Sequence, residues 1–208
     1  MRSDTAASAD EPLQPKTSRS VGTRRAVLDA AAALFAERGY DTTSIDDIVK
    51  RSGISVGSIY HQFRGKSDVY LAVAAEDFER SFEAFERERS RAAAAGADPR
   101  RAYLAGAEAF LMSTWQHRNV ARLTLSNHGP SDYRTLRDDN LARLHAAASS
   151  LRLAGKPPAP RSAAHAVVAL TGAAAQEIVD VDSARQARKV ARYFIGLIEH
   201  LIVVDDVT

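Results

Sequence analysis

From residue 23 nearly to the end of the chain, apolar positions recur every three or four residues, the period of one helix face. In TRRAVLDAAAALFAERGY, Val27, Leu28, Ala31, Leu34 and Phe35 form one stripe. Thr23 is placed to cap this helix, and Gly39 stands where a helix ends in a left-handed residue. A second helix is predicted over 44–51. Its opening Ser44-Ile45-Asp46-Asp47 has capping-box spacing, and its two carboxylates suit the positive end of the helix dipole. Gly53 stops it, Ser55 caps a third helix over 56–62, and Phe63-Arg64-Gly65 breaks that one.

A long helix then runs from Lys66 to about residue 95, with Phe78, Phe82 and Phe85 as a narrow apolar stripe among charges. Further helices are predicted at about 100–117, 119–127, 132–153, 161–180 and 184–203. His128-Gly129-Pro130 and the run Gly155 to Pro160 punctuate them. No useful strand alternation or internal repeat is present. The expectation is an all-α fold of about nine helices, divided into a polar arm (1–20), a three-helix unit (21–66) and a helical body (67–208).

The first twenty residues, with Pro12 and Pro15, carry no apolar run of the kind a signal peptide needs. No stretch is long and apolar enough to span a membrane. Cysteine is absent, which excludes disulfides, thiolate metal sites and a cysteine nucleophile, and fits a cytoplasmic location. Net charge is only +2, but residues 13–66 hold nine Lys/Arg against five Asp/Glu, whereas the signs balance over 67–208. The positive excess thus falls near the N-terminus, where a polyanion partner would be met.

That unit carries the informative chemistry. Its second and third helices are joined through Gly53 and Ile54, the tight turn of a helix-turn-helix, whose second helix enters the major groove. Ser55, Gly57 and Ser58 are small for a core helix, and an interior Gly costs about 1 kcal/mol against Ala. Small residues instead let a backbone approach a partner. Hydroxyls at a helix N-terminus suit phosphate, while Ile59 and Phe63, four apart, form the buried side.

The segment LFAERGYDTTSIDDIVKRSGISVGSIYHQFRGKSDVYLAV resembles the DNA-binding region of the TetR family of transcriptional regulators. The resemblance covers about residues 23–73 and rests on the order Phe35, Gly39, Thr43, Ile48, Gly53, Gly57, Tyr60, Phe63, Lys66. It implies a helical homodimer whose N-terminal domain binds an operator and whose C-terminal domain binds a small-molecule effector. Carried over by position, Thr43 and Ser44 meet phosphates. Ser55, Val56, Gly57, Ser58, Tyr60 and His61 lie on the recognition helix, and Lys66 pairs with a phosphate. Val56 and Ser58, with Gln62, are placed to influence base choice. Two positions depart from the family pattern. Val56 stands where Lys or Arg is common, removing a charge and offering contact with a thymine methyl. Val49 stands where Ala is common, a core adjustment.

The implied effector pocket is weakly marked. Tyr103, Phe110 and Trp115 could line an apolar cavity, with Asn127, Tyr133 and His145 as polar handles. The six histidines are nowhere three to five residues apart, so no helical pair of metal ligands is expected. No nucleophile elbow, phosphate loop or paired carboxylates appear, so neither catalysis nor a cofactor is expected. The last two helices are apolar nearly all round, through Ala163–Ala175 and Phe194–Ile202, and predict burial in a two-fold four-helix interface. The expected function is a repressor released from a palindromic operator by an inducer. The alternatives are a ligand-independent repressor, and a small-molecule carrier or enzyme whose helix-turn-helix is vestigial.

Overall fold

The structure, a computed structural model, describes residues 16–126, 128–149, 151 and 160–202. Among them lie nine helices: α1 (Lys16–Arg38), α2 (Ile45–Ser52), α3 (Val56–Gln62), α4 (Lys66–Ala94), α5 (Pro99–Gln116), α6 (Arg118–Leu125), α7 (Tyr133–Ala148), α8 (Pro160–Ile178) and α9 (Ala184–Leu201). The fold is all-α, as the periodicity predicts. Two boundaries differ clearly. Helix α7 ends at Ala148 and not near 153. Thr23 does not cap α1, which starts at Lys16, so residues 16–20 of the expected arm are helical. The expected contribution of residues 1–15 lies outside the described residues.

Much of the predicted punctuation is realised, while the run Gly155 to Pro160 lies almost wholly outside the described residues. Gly39 and Gly53 adopt φ of 83° and 71°, the left-handed region that favours glycine. Ser44 and Asp47 complete a reciprocal capping box on α2, and Ser55 accepts from the Ser58 amide to cap α3. Asp98 caps α5, with Pro99 in its first turn.

Three helices and the start of α4 share one core. Val27, Leu34 and Phe35 of α1, Ile48 of α2, and Ile59 and Phe63 around α3 pack on Val69, Tyr70 and Val73 of α4. Leu123 and Tyr133 enter the same cluster, so α6 and α7 close it from the C-terminal side. The Tyr70 hydroxyl donates to the His128 carbonyl at 2.7 Å, fastening the α6–α7 connection to α4.

The rest of α4 departs from expectation. Its buried line runs through Val69, Val73, Asp77, Ser81 and Phe85, four residues apart. Phe78 and Phe82 lie half-buried beside that line. The stripe therefore includes a carboxylate and a hydroxyl, because a cavity sits beneath them. Helices α5, α7, α8 and α9 pack around the far half of α4 through Tyr103, Ala107, Val167 and Ile198.

The closest approach of α4 and α5 depends on Gly106. A Cβ there would stand 2.8 Å from the Phe85 carbonyl oxygen and 2.9 Å from its ring. Alanine gains about 1 kcal/mol of helix propensity, but overpacking against backbone costs about 1–3 kcal/mol. Gly106→Ala is therefore expected to lower stability by about 1–2 kcal/mol in urea denaturation; a more stable variant would show that the two helices separate freely.

Candidate nucleic-acid interface and internal cavity

Ile48 and Ile59, both fully buried, pin α2 and α3 to the small core. The turn between them is closed by the Ile54 amide donating to Ser52 Oγ at 3.1 Å. Arg51 grips Glu37 of α1 through two bonds of 2.6 and 2.8 Å, holding α2 at a fixed angle to α1. This pairing holds the Glu37 carboxyl below its ordinary value.

With one side of α3 buried, the other faces outward. Val56 is 47% exposed and Tyr60 is 55% exposed, and Ser55, Gly57 and His61 are exposed with them. Ser58 is half-buried, its hydroxyl 2.9 Å from that of Ser55. Among the described residues, nothing outside its own helical turn comes within 4 Å of a Cβ placed on Gly57. Packing within the chain therefore does not require glycine there, whereas close backbone approach from outside would. Arg24 stacks over the Phe63 ring at 4.9 Å, bringing a guanidinium beside the C-terminal end of α3.

Three of the expected phosphate contacts are otherwise engaged. Thr43 is 2% exposed, and its hydroxyl donates to the Gly39 carbonyl at 2.8 Å. Its side chain closes the α1–α2 connection and does not face outward. The Lys66 ammonium donates to the carbonyls of Tyr40 at 2.8 Å and Asp41 at 3.3 Å, and lies 4.3 Å from the Tyr40 ring centroid. It clamps the start of α4 to the α1–α2 connection, leaving one of its three donors. Ser44 is exposed, but its hydroxyl donates to Asp47 at 2.6 Å, and that carboxyl is held below its ordinary value.

A cavity of about 280 Å³ opens among α4, α5, α6, α7 and α8. Phe78, Phe110, Leu125, Leu144, Val168 and Ala175 give it apolar walls. Its polar groups include Asp77, Ser81, Thr114, Thr124, Arg137 and Asn140. Of the six residues expected to line a pocket, the structure brings only Phe110 to this one. Tyr103 is buried against Phe85 at 5.2 Å, and burial pushes its hydroxyl up to about 12. Trp115 donates to the Val181 carbonyl at 3.2 Å. Tyr133 donates to the Thr124 carbonyl and stacks on Phe78, behind the wall. His145 lies 4.3 Å from the His165 ring, and burial and that neighbour push it down. Asn127 lies outside the described residues. Sequence reasoning missed Asp77, although its place four residues from Val73 and Ser81 in an apolar line was a readable signal.

Asp77 is 4% exposed and accepts from the Thr124 hydroxyl at 2.8 Å. Arg80 is 3.5 Å from its other oxygen, beyond a strong bond. Burial raises its carboxyl above the ordinary 3.8, outweighing Thr124, Arg80 and His117. A carboxyl raised in the native state binds more protons there than in the unfolded chain. Stability therefore falls as pH rises from the unfolded value through the folded one. Asp77→Asn is expected to melt no lower than the parent at pH 8, with any gain shrinking as pH falls toward 3.8. A loss that grows with pH in a melting series would contradict this.

Cavity and small core are joined by packed rings. Phe78 stacks on Tyr133 at 6.3 Å, Tyr133 meets Tyr70 edge-on at 5.4 Å, and Tyr70 meets Tyr40 at 5.1 Å. Tyr40 carries the Lys66 ammonium.

A capped helix held on two apolar anchors with its small-residue face outward, attached to a helical body with a cavity, defines a helix-turn-helix unit on an all-α body. A family model described as bacterial regulatory proteins, tetR family, matches residues 27–73. The HTH-type transcriptional repressor Rv1474c of Mycobacterium tuberculosis (strain ATCC 25618 / H37Rv) is 44% identical over 57 residues, 27% of this chain and 30% of that protein. The HTH-type transcriptional repressor KstR2 of Rhodococcus jostii (strain RHA1) is 45% identical over 58 residues, 28% of each chain. The matches therefore span less than a third of those relatives' own length. Among solved structures, a putative TetR-family transcriptional regulator from Syntrophomonas wolfei str. Goettingen aligns with TM-score 0.67 at 18% identity, covering 88% of this chain and 98% of that one. The reduced form of E. coli NemR aligns with TM-score 0.64 at 19% identity, over 89% and 99%. At these identities the likeness is one of fold. Residues 27–73 match the DNA-binding region of the TetR family. No helix among the described residues is long and apolar enough to cross a membrane.

Proposed function

We propose that the protein is a homodimeric DNA-binding repressor that leaves its operator when a small molecule enters the cavity. The outward face of α3 carries this reading: Ser55, Val56, Gly57, Tyr60 and His61 are exposed over buried Ile59 and Phe63. Ser55 and Tyr60 supply hydroxyls for phosphates, Val56 an apolar contact for a thymine methyl, and Gly57 the close approach. Ser58 and Gln62 act at the edge of this surface. Arg24 contributes charge from α1, whereas Lys66 chiefly positions the motif. The two named repressors matched over this region support the DNA-binding half of the reading.

The exposed face of α9 supports dimerisation. Tyr193 is 65% exposed and Leu197 is 38% exposed, and Ala169 and Ala173 of α8 are exposed as well. A second copy would cover both helices in a four-helix bundle. Tyr193→Glu combined with Leu197→Glu is expected to give a monomer by light scattering, since a two-fold interface presents each charge to its own copy. An unchanged dimer would place the interface elsewhere.

Two recognition helices about 34–36 Å apart fit successive major grooves. An occupant that favours a different spacing weakens operator binding, and linkage makes the effect reciprocal. The ring series from Phe78 to Tyr40 is the proposed connection between cavity and clamp. Selection from a randomised duplex pool tests the function. Enrichment of an inverted repeat with half-sites a whole number of helical turns apart is expected; a pool left unenriched would contradict it.

A further inference from the structure

The electrostatics of the cavity narrow its occupant, given the reading that this is the effector site. Its volume of about 280 Å³ lies just below the range of about 300–1,000 Å³ usual for drug-sized ligands, so the occupant is compact. Most of the wall is apolar, so the body of the occupant is apolar too. The wall also holds two opposite charges in different settings. Arg137 is 34% exposed, with an Asp138 carboxylate oxygen 3.9 Å away. Asp77 is 4% exposed, with one hydroxyl partner and a distant Arg80.

An ionised carboxylate can accept about four hydrogen bonds, so Asp77 retains acceptor capacity at the wall. A buried charge with incomplete partners is costly, and a fixed charge acts more strongly the more deeply it is buried, as Asp77 is relative to the 34% exposed Arg137. An occupant bringing an anion near Asp77 meets repulsion, or must leave the carboxyl protonated. One bringing an N–H cation supplies the missing donor and restores the ionised form. Ser81, one turn further along α4, and Thr114 add hydroxyls that can accept from the same head group.

We propose that the cavity selects a compact apolar amine, its ammonium group donating to Asp77 and its hydrocarbon body packing against Phe78, Phe110 and Leu144.

Three probes of matched size test this: 4-phenylbutylamine, 4-phenylbutan-1-ol and 4-phenylbutyrate, titrated calorimetrically into the full chain at pH 7. The amine is expected to bind about tenfold or more tightly than the alcohol, since charge-assisted bonds are about twice as strong as neutral ones. The carboxylate is expected to bind weakest. Asp77→Asn, which keeps an acceptor for Thr124, should remove the preference, bringing the amine to within about twofold of the alcohol. The ranking on the parent decides the question even if that variant does not fold. Gly172→Phe locates the site, since Gly172 lines the cavity and a Cβ there meets nothing within 4 Å. It should abolish all three bindings. Equal affinities, or the carboxylate tightest, with loss in Gly172→Phe, would overturn the amine assignment and leave the cavity as a ligand site. Absence of binding by every probe, or binding indifferent to Gly172→Phe, would overturn both the assignment and the reading of the cavity.

Discussion

Tyr60→Ala is expected to weaken operator binding by about 10- to 100-fold while leaving global stability within about 0.5 kcal/mol. The separation follows from where the ring stands. Tyr60 is 55% exposed, so its removal leaves no internal void, whereas its neighbour Ile59 is fully buried and anchors the helix. Losing one hydrogen bond and the ring contact at a groove costs about 1–3 kcal/mol. The hydroxyl is neutral, so it displaces no counterion, and the salt dependence of binding should keep the parent's slope. Ile59→Ala is the contrasting case: it should lose binding and stability together, by about 2–5 kcal/mol in the latter. Fluorescence anisotropy paired with thermal melting checks both. A Tyr60→Ala variant that binds DNA as tightly as the parent would remove α3 from the interface.

The largest loss of stability is expected at Tyr70. The ring is fully buried and meets Phe35, Tyr40 and Tyr133 within 5.1–5.4 Å. Its hydroxyl is the bond from α4 to the His128 carbonyl. Tyr70→Ala is expected to cost about 3–5 kcal/mol, the range for deleting a buried aromatic ring. Gly129 packs directly on that ring and has no side chain with which to fill the gap. Tyr70→Phe keeps the packing and should cost only about 1–2 kcal/mol, through the orphaned carbonyl. Burial holds the phenol up at about 12, so it remains a donor at every pH where the fold is normally studied. The difference between the two variants in urea denaturation separates ring packing from the hydrogen bond. If Tyr70→Ala cost less than 1 kcal/mol, the small core would not depend on the C-terminal body as the structure shows.

The helix ends of α1 to α3 were legible because their determinants are local. Gly39, Gly53, Ser44 and Ser55 set helix ends within a few residues of themselves, and Ile59 with Phe63 mark the buried side of α3 by spacing alone. The resemblance supplied positions but not directions. Thr43 and Lys66 stand where the pattern puts them, yet both turn their polar atoms inward onto the α1–α2 connection. That choice depends on carbonyls 4 and about 25 residues away, which no periodicity reveals. The cavity was least legible, since its walls come from five helices whose register is set by long-range packing. Aromatic residues drew attention there, but Tyr103, Trp115 and Tyr133 satisfy their own polar atoms in the core. The polar wall came from Asp77, Ser81 and Thr124, of which only Asp77 carries a signal in its spacing along α4.

The central claim is that the outward face of α3 makes this chain a sequence-selective DNA-binding protein. Fluorescence anisotropy against the DNA upstream of its own gene, with an unrelated duplex of equal length, at 50 and 200 mM salt, tests it most directly. The account predicts tight binding to the upstream duplex, weak binding to the control, and a loss of affinity at the higher salt as phosphate contacts weaken. Equal, weak binding to both duplexes at both salt concentrations would contradict it.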